Sequence, residues 1–205
     1  METFGVIILA AGASTRLGEP KQLLQYNGRS LIKHAAETAL QVISSPVVVV
    51  LGAQSQILSN ELADLPVLVV ENKKWENGMA SSIHTGLSTI KGLNCIVDNI
   101  ILMVCDQPFV SASLLRELIA SRQKESTGVV ACKYSDTLGI PVLFNKKYYD
   151  ELLKLEGAEG AKKLLNKYAV DVSTVSFPLG FIDIDTAHDY EKLLKDSFER
   201  PQENV

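Results

Sequence analysis

Short apolar runs and stretches of helical periodicity alternate along this chain of 205 residues. Apolar runs bounded by turn-forming residues are typical of strands buried in a sheet, whereas apolar residues that recur every third or fourth position are typical of helices. The predicted strands are Val6–Ala10, Pro46–Leu51, Pro66–Val70, Ile100–Val104, Val129–Ala131, Pro141–Phe144, Val170–Val175 and Phe181–Ile184. The predicted helices are 30–42, 55–62, 79–90, 111–125, 146–153, 158–167 and 187–196.

This alternation predicts an α/β fold with one doubly wound, mostly parallel sheet and right-handed crossovers. The length suits a single domain with a sizeable core. We expect that domain over residues 1–198, followed by a polar C-terminal tail at 199–205. Ligands of such sheets bind beyond the carboxyl ends of the strands, so residues that follow a predicted strand are the candidates for chemistry.

Composition and charge narrow the classes of protein that fit. Hydrophobic residues make up 46% of the chain, which is too many for a disordered protein. The longest apolar runs have the length of strands, so we expect no membrane span. A net charge of −4 without a Lys/Arg-rich block argues against nucleic acid as the main partner. Three widely spaced cysteines and an N-terminus without a basic region favour a cytoplasmic protein.

The loop after the first predicted strand carries the strongest chemical signal. It reads Gly-Ala-Ser-Thr-Arg-Leu-Gly-Glu-Pro-Lys over residues 12–21. Small residues let backbone N–H groups approach an anion, and Arg16 and Lys21 supply the countercharge, so the loop is typical of a phosphate site. It differs from the P-loop, because five residues separate Gly12 from Gly18, and it lacks the dinucleotide fingerprint. The alternative is a turn between strand and helix with solvated charges.

Acidic residues at two places are candidates for holding a metal ion. Asp106 comes at the carboxyl end of the apolar run 100–105. Mg²⁺ is usually held by one or two carboxylates and phosphate oxygens. The alternative for Asp106 is stabilisation by the dipole of the helix at Ser111. Asp183 and Asp185 alternate on the last predicted strand, so we expect both to point to one face; the alternative for Asp185 is capping of the last helix.

A third candidate segment opens the predicted helix at 79–90. Small residues at a helix start present free N–H groups, and Ser81 and Ser82 add hydroxyls. Simple helix capping is the alternative. Trp75, just before this segment, is interpreted either as a lid or as a packing residue.

Residues 9–21 resemble the pattern L-A-x-G-x-S-x-R-M/L-G-x-x-K of the MobA-like NTP transferase family, whose members activate a phosphorylated compound with a nucleoside triphosphate. Two further segments resemble family motifs. Asp106-Gln107-Pro108 is similar to a D-Q/M-P motif, and 183–190 is similar to a closing D-I-D-T-P-x-D-Y motif, with Ala187 at the position of the proline. The resemblance implies a Rossmann-like nucleotidyltransferase fold.

The resemblance also implies roles for individual residues. Arg16, Lys21 and Asp106 would be catalytic, and Asp106 and Asp185 would bind the cofactor Mg²⁺. Residues 78–83 are similar to a G-M-x-x-S-[IL] segment that lies by the nucleobase and ribose. The implied nucleotide-binding residues are Leu9, Ala10, Ala11, Gly12, Ser14, Arg16, Lys21, Gly78, Ser81 and Ser82.

Within the family, the chain resembles the molybdenum cofactor cytidylyltransferases that serve xanthine dehydrogenase-type enzymes and purine catabolism. Residues 139–144 are similar to G-H-P-V-L-F, with Ile140 in place of the histidine. Residues 156–161 are similar to E-G-D-x-G-A, with Ala158 in place of the aspartate. The guanylyltransferases typically have glycine at the position of Ala11, so Ala11 favours CTP.

This branch implies transfer of CMP from CTP to a molybdopterin-type molybdenum cofactor, with release of pyrophosphate. The partners would be CTP or another NTP, the molybdopterin-type acceptor, and an apo-molybdoenzyme that receives the product. Two alternatives stay open. One is the same chemistry on a sugar or polyol phosphate, and the other is a non-catalytic molybdenum-cofactor chaperone.

Overall fold

The computed structural model describes residues 2–43 and 46–199, and the side chains of the last helix up to residue 195. In chain order, the strands of this part are β1 (Phe4–Ala10), β2 (Gln25–Tyr26), β3 (Arg29–Ser30), β4 (Val47–Leu51), β5 (Leu68–Glu71), β6 (Asn99–Val104), β7 (Val129–Tyr134), β8 (Thr137–Asn145) and β9 (Val172–Ser176). The helices are α1 (Leu31–Leu40), α2 (Ser55–Glu61), α3 (Met79–Lys91), α4 (Ala112–Glu125), α5 (Tyr149–Leu152), α6 (Lys162–Lys167) and α7 (Ala187–Glu199).

Seven of these strands form one sheet in the order β5-β4-β1-β6-β8-β7-β9, and β2 and β3 form a separate antiparallel hairpin. The pairs β4–β5, β1–β4, β1–β6 and β7–β9 are parallel. Strand β8 runs antiparallel to both of its neighbours, β6 and β7. The predicted α/β fold with a mostly parallel sheet is confirmed.

Helices cover both faces of the sheet, which explains why the central strands are apolar throughout. Strand β1 shows the division, because Val6 and Ile8 belong to one core and Ile7 and Leu9 to the other. The first core includes side chains of α1, α2 and α4, and the second includes side chains of α3, α5 and α6. Helix α4 begins as predicted, since the Ser111 hydroxyl accepts a hydrogen bond from the Leu114 N–H at 3.2 Å.

The predicted strand at Phe181–Ile184 is wrong. The Gly180 N–H donates to the Phe177 carbonyl at 2.9 Å, and the Ile182 N–H donates to the Leu179 carbonyl at 3.1 Å, so the chain turns twice here. The Ile184 N–H then donates to the backbone carbonyl of Asp106 at 3.0 Å instead of to a strand. The alternating apolar pattern is satisfied by burial of Ile184 without sheet pairing.

Two helix predictions are wrong at their boundaries. The segment 146–153 divides into a 3₁₀ turn over Lys146–Tyr148 and the short helix α5. Helix α6 begins at Lys162, later than predicted, because a local turn precedes it. In this turn the Glu156 N–H donates to the Glu159 carboxylate, and the Glu159 N–H donates to the Glu156 carbonyl. Residues 200–205 of the predicted tail lie outside the described residues. No helix in the described part of the chain is both long and apolar enough to cross a membrane.

Candidate active site

A pocket of about 380 Å³, here called the main pocket, lies at the carboxyl ends of the neighbouring strands β1 and β6. This is the place where a doubly wound sheet binds its ligands. Seven of the predicted nucleotide-binding residues line it: Leu9, Ala10, Ala11, Gly12, Lys21, Gly78 and Ser82. Ser14, Arg16 and Ser81 are not among the lining residues.

The loop at 11–21 is held from inside by Gln22, whose side chain is buried. The Gln22 amide donates to the carbonyls of Ala10 at 3.1 Å and Gly12 at 2.8 Å. Its oxygen accepts from the Ser14 hydroxyl at 3.2 Å, and that hydroxyl accepts from the Lys21 N–H at 3.0 Å. Ser14 therefore braces the loop instead of facing the pocket. The sequence analysis did not identify Gln22; the available signal was its position directly after Lys21 in the loop.

Lys21 lies between the two predicted metal ligands. Its ammonium donates to Asp106 Oδ2 at 2.5 Å and to Asp185 Oδ1 at 2.7 Å. Arg16 Nη1 donates to the other oxygen of Asp185 at 2.9 Å. The hydrogen bond from Ile184 to the carbonyl of Asp106 ties the segment bearing Asp185 to the end of β6. The structure thus brings together all four charged residues that the sequence placed in the site.

Electrostatics favours the charged forms of Lys21 and Asp185. Burial lowers the pKa of Lys21, but the attraction and hydrogen bonds of Asp106 and Asp185 outweigh burial, so the pKa lies above its usual value. The hydrogen bond from Lys21 holds the pKa of Asp185 below its usual value. Burial, together with repulsion from Asp106 and Asp185, raises the pKa of Asp183. The Lys21 ammonium group, which lines the main pocket, therefore stays charged over the physiological pH range.

The last helix is capped by Thr186, which leaves Asp185 available to the site. The Asp189 N–H donates to the Thr186 hydroxyl at 3.2 Å, and an Asp189 carboxylate oxygen accepts from the Thr186 N–H at 2.8 Å. This reciprocal pair is a capping box in which aspartate takes the usual place of glutamate. Asp185 is hydrogen bonded to Lys21, whereas Asp183 lines a second pocket.

The acidic residues fit a magnesium ion that also binds phosphate. No group of three or more His, Cys, Asp or Glu side chains within the described residues could hold a metal ion alone. Mg²⁺ does not need such a cage, since one or two carboxylates, water and substrate phosphates complete its octahedron. Asp106 and Asp185 are two such carboxylates, both hydrogen bonded to one ammonium group.

The start of α3 is closed by a neighbouring loop. Gly78 has φ +93°, and a Cβ there would lie 2.3 Å from the carbonyl oxygen of Gly157, so only glycine fits. The Ala80 N–H donates to the same carbonyl at 3.1 Å. The sequence predicts that this N–H is free to bind an anion, but in the structure it is already hydrogen bonded.

Asn72 is a second functional candidate that sequence reasoning missed. Its buried amide donates to the hydroxyls of Ser81 at 2.7 Å and Ser82 at 3.0 Å. The Ser81 hydroxyl also lies within hydrogen-bond distance of two backbone carbonyls, Gly78 at 2.8 Å and Lys74 at 2.9 Å, to which it offers its one proton. Ser81 thus fixes the turn before α3, while Ser82 lies at the wall of the main pocket. The available signal was the position of Asn72 directly after strand β5.

A second pocket of about 270 Å³, here called the side pocket, adjoins the main pocket. The two share Met79, Val104 and Asp106 as lining residues. The side pocket is otherwise lined by Gln107, Tyr134, Ile140, Gly180, Phe181 and Asp183. The Asp106 carboxyl therefore lies at the boundary between two spaces, each large enough for part of a small-molecule substrate.

Comparisons with known proteins agree with this geometry. The model of the MobA-like NTP transferase domain matches residues 6–172. The chain is 31% identical over 197 residues to the nicotine blue oxidoreductase of Paenarthrobacter nicotinovorans, covering 92% of this chain and 95% of that protein. Among solved structures it is similar to Rv0371c of Mycobacterium tuberculosis H37Rv, with 30% identity, a TM-score of 0.78, and coverage of 95% of this chain and 99% of that one. The mycobacterial protein has also been crystallised in complex with manganese.

A nucleotidyl transferase from Methanothermobacter, Mth528, has the same fold with a TM-score of 0.80 at 21% identity, over 98% of this chain and 99% of that one. The family model spans most of the chain, including the loop at 12–21 and Asp106. The family resemblance predicted from the sequence is confirmed, whereas the narrower branch is not tested by these matches. The chain belongs to the MobA-like NTP transferase family.

Proposed function

We propose that the protein transfers CMP from CTP to the terminal phosphate of a molybdopterin-type molybdenum cofactor and releases pyrophosphate. One observation carries the reaction type. The Lys21 ammonium is held between Asp106 and Asp185 at the boundary of the main and side pockets. A fixed cation and two carboxylates at the meeting point of two substrate spaces suit the transfer of a charged phosphoryl group.

In this proposal, CTP occupies the main pocket and the acceptor occupies the side pocket. The acceptor phosphate is already ionised, so it attacks the α-phosphate without a general base, and the bond to pyrophosphate breaks. Catalysis is then positioning plus stabilisation of charge. Lys21 and Arg16 offset the charge that builds on the α-phosphate and the leaving group, and backbone N–H groups at 11–14 hold the phosphates.

Asp106 and Asp185 would hold Mg²⁺, which neutralises triphosphate charge when it is bound. Lys21 donates to both carboxylates in the structure. In this proposal its ammonium would contact the triphosphate in the main pocket when the carboxylates hold the metal ion. The manganese complex of the mycobacterial relative supports a divalent metal in this family, and Mg²⁺ is our proposal for this chain.

The molybdopterin-type acceptor is proposed from the segment resemblance alone. Ile140 lines the side pocket and Ala158 adjoins the start of α3, at the positions where the cytidylyltransferase branch has polar residues. Both replacements remove polar groups from the acceptor side, so a sugar or polyol phosphate is the competing acceptor that the assay must include. The molybdopterin-type product would pass to an apo-molybdoenzyme in the cytoplasm.

Oxidation–reduction is a second candidate, favoured by the name of the 31% identical relative. A reductase has no need of the Lys21–Asp106–Asp185 cluster. A pure chaperone would not need it either, because it carries its cofactor without moving a phosphoryl group.

One panel of assays separates these functions. Pyrophosphate release is measured with CTP, GTP, ATP and UTP against molybdopterin, a sugar phosphate and a polyol phosphate. A parallel arm follows the reduction of a dye, nicotine blue, by reduced nicotinamide adenine dinucleotide. Pyrophosphate release that requires both CTP and molybdopterin supports the proposal. Dye reduction without pyrophosphate release contradicts it, and cofactor binding without either reaction identifies a chaperone.

A further inference from the structure

Two neighbouring residues of the main pocket are placed to recognise the base of the nucleotide, a role that rests on the proposed function. Trp75 is the single tryptophan of the chain. It is also the one aromatic residue among the described residues that line the main pocket, and Glu76 lines the pocket beside it. We propose that the Trp75 indole stacks on the nucleobase and that the Glu76 carboxylate accepts a hydrogen bond from an amino group of that base.

Close backbone contact fixes the root of the Trp75 side chain. A Cβ built on Gly52 would lie 2.6 Å from Trp75 Cβ, 2.7 Å from Trp75 Cγ and 2.7 Å from the Ala11 carbonyl oxygen. The indole is thus seated against the bare backbone of residue 52, beside the phosphate loop. This contact places an aromatic surface at the same pocket that Lys21 enters from the loop.

Hydrogen bonds hold the turn that carries both residues. The Trp75 N–H donates to the Asn72 carbonyl at 3.2 Å, and the Gly78 N–H donates to the Trp75 carbonyl at 3.0 Å. The Asn72 N–H donates to the Leu51 carbonyl at 2.7 Å, and the Asn72 side chain binds the start of α3. The turn is therefore attached to β4 on one side and α3 on the other, which preorganises it for a ligand. These contacts favour the packing of Trp75 as a fixed wall over a mobile lid.

Glu76 is exposed and has no hydrogen-bond or ion-pair partner within the described residues. An ionised carboxylate only accepts hydrogen bonds. Cytosine offers its N4 amino group as a donor, whereas thymine and uracil present the O4 acceptor at the same place. A carboxylate at the base edge therefore attracts cytosine and repels uracil. This arrangement selects for an amino-bearing base and adds a physical reason for CTP over UTP.

The test measures binding without an acceptor, so it does not depend on turnover. Calorimetric titrations with CTP, UTP and inorganic tripolyphosphate are run on the wild type and on Trp75→Leu, Trp75→Phe, Glu76→Gln and Glu71→Gln. Trp75→Leu should weaken CTP binding about 10-fold, the usual order for one base–aromatic stack, and Trp75→Phe should retain most of the affinity. Tripolyphosphate affinity should not change, since it reports only on the phosphate loop.

Glu76→Gln should reduce the ratio of CTP to UTP affinity by about 10-fold, because an amide can donate to O4 as well as accept from N4. Glu71→Gln is the matched control, since Glu71 ends β5, accepts from the Ser55 hydroxyl at 3.1 Å, and does not line the pocket. Its ratio should equal that of the wild type. In the wild type, CTP but not tripolyphosphate should quench the fluorescence of the single tryptophan.

The outcomes separate this inference from the proposed function. If the wild type binds CTP but Trp75→Leu binds it equally well and the fluorescence does not change, the stacking role is wrong and nucleotidyl transfer stands. If Glu76→Gln keeps the wild-type ratio of CTP to UTP, the carboxylate does not contact the base. If the wild type binds tripolyphosphate but no nucleoside triphosphate, both the inference and the proposed function are overturned.

Discussion

Replacing Lys21 by methionine removes the ammonium group while keeping most of the side-chain stem. In the structure that ammonium lies 2.5 Å from Asp106 and 2.7 Å from Asp185, so Lys21→Met deletes the centre of the charged cluster. If Lys21 stabilises charge on the transferred phosphoryl group, turnover should fall by about 10²-fold or more, as for loss of one preorganised donor. The assay is pyrophosphate release at saturating CTP and acceptor.

The same substitution should also lower the free energy of unfolding, by an amount that the burial of the cluster sets. The side chains of Lys21 and Asp106 are 15% and 17% exposed, so water screens this pair poorly. The Asp185 side chain is 34% exposed, so water partly screens its attraction to Lys21. We therefore expect the free energy of unfolding to fall by about 2 kcal/mol, which lies between the contributions of surface ion pairs and of fully buried ion pairs. In a domain of this size that corresponds to a drop in melting temperature of about 4–8 °C.

Two matched variants isolate the cause. Arg16→Met removes the other cation that contacts Asp185, but the Arg16 side chain is 73% exposed, so the melting temperature should change little. Adding Asp106→Asn to Lys21→Met removes one of the two facing carboxylates, and should restore part of the stability without restoring turnover. A folded Lys21→Met protein with near wild-type pyrophosphate release would refute the catalytic role. An unchanged melting temperature would refute the electrostatic argument.

Four further outcomes are expected. CTP should be preferred over GTP when both compete at equal concentration for pyrophosphate release, and a clear GTP preference would contradict the branch assignment based on Ala11. Asp106→Asn should abolish magnesium-dependent turnover without changing the melting temperature by more than a few degrees; an unchanged response in a magnesium titration would remove Asp106 from the site. Gln22→Leu should destabilise the fold by about 2–3 kcal/mol, because two backbone carbonyls lose their buried donor, and it should also raise the KM for CTP. Urea unfolding measures the first effect and initial rates measure the second, and an unchanged KM would contradict the positioning role of Gln22. Burial lowers the pKa of His34 from 6.5, despite the hydrogen bond of its ring to the Pro108 carbonyl. The unfolded chain therefore binds more protons than the folded chain as the pH falls, and the free energy of unfolding should decrease from pH 7 to pH 5. In urea unfolding, His34→Gln should show a smaller decrease than the wild type, and an equal decrease would exclude His34 as the cause.

The sequence was sufficient to bring three members of the charged cluster together, because Arg16, Lys21 and Asp106 each have a local signal. Lys21 and Arg16 follow β1 in a loop of small residues, and Asp106 follows β6. Parallel neighbouring strands bring their carboxyl ends together, so proximity follows from topology alone. The meeting with Asp185, which lies 164 positions from Lys21 in the chain, was implied only by the family resemblance.

The neutral polar residues could not be assigned in the same way. Ser14 lies in a phosphate-type loop, and its hydroxyl could face either a ligand or the loop interior. Gln22 decides this, since it is buried beneath the loop and accepts from Ser14. Amide side chains have no charge or periodicity that marks them along a sequence, and their roles follow from burial, which depends on the whole fold.

The wrong strand at Phe181–Ile184 has a related cause. Alternation of apolar and polar residues predicts which side of an extended segment is buried, but pairing also requires a free strand edge with matching register. Here Ile184 finds its apolar contacts beside Leu24, Leu31 and Leu193, and its N–H finds the Asp106 carbonyl. The hydrogen bond from the Ile184 N–H to the Asp106 carbonyl also shapes the site, because it holds the next residue, Asp185, beside Lys21.

The start of α3 borders both the main pocket and the side pocket. Met79 lines both the main and the side pocket, and a Cβ on Gly160 would lie 2.8 Å from its sulfur. A Cβ on Gly78 would lie 2.3 Å from the Gly157 carbonyl oxygen, and the Ala80 N–H donates to that oxygen at 3.1 Å, so the two backbones are in direct contact. The loop at 156–161 is therefore packed against the helix that carries Ser82, whereas Lys21 and Asp106 are positioned by β1, β6 and the Gln22 brace. Under the proposed function, the replacements at Ile140 and Ala158 change the walls offered to the acceptor and leave Lys21, Asp106 and Asp185 in place.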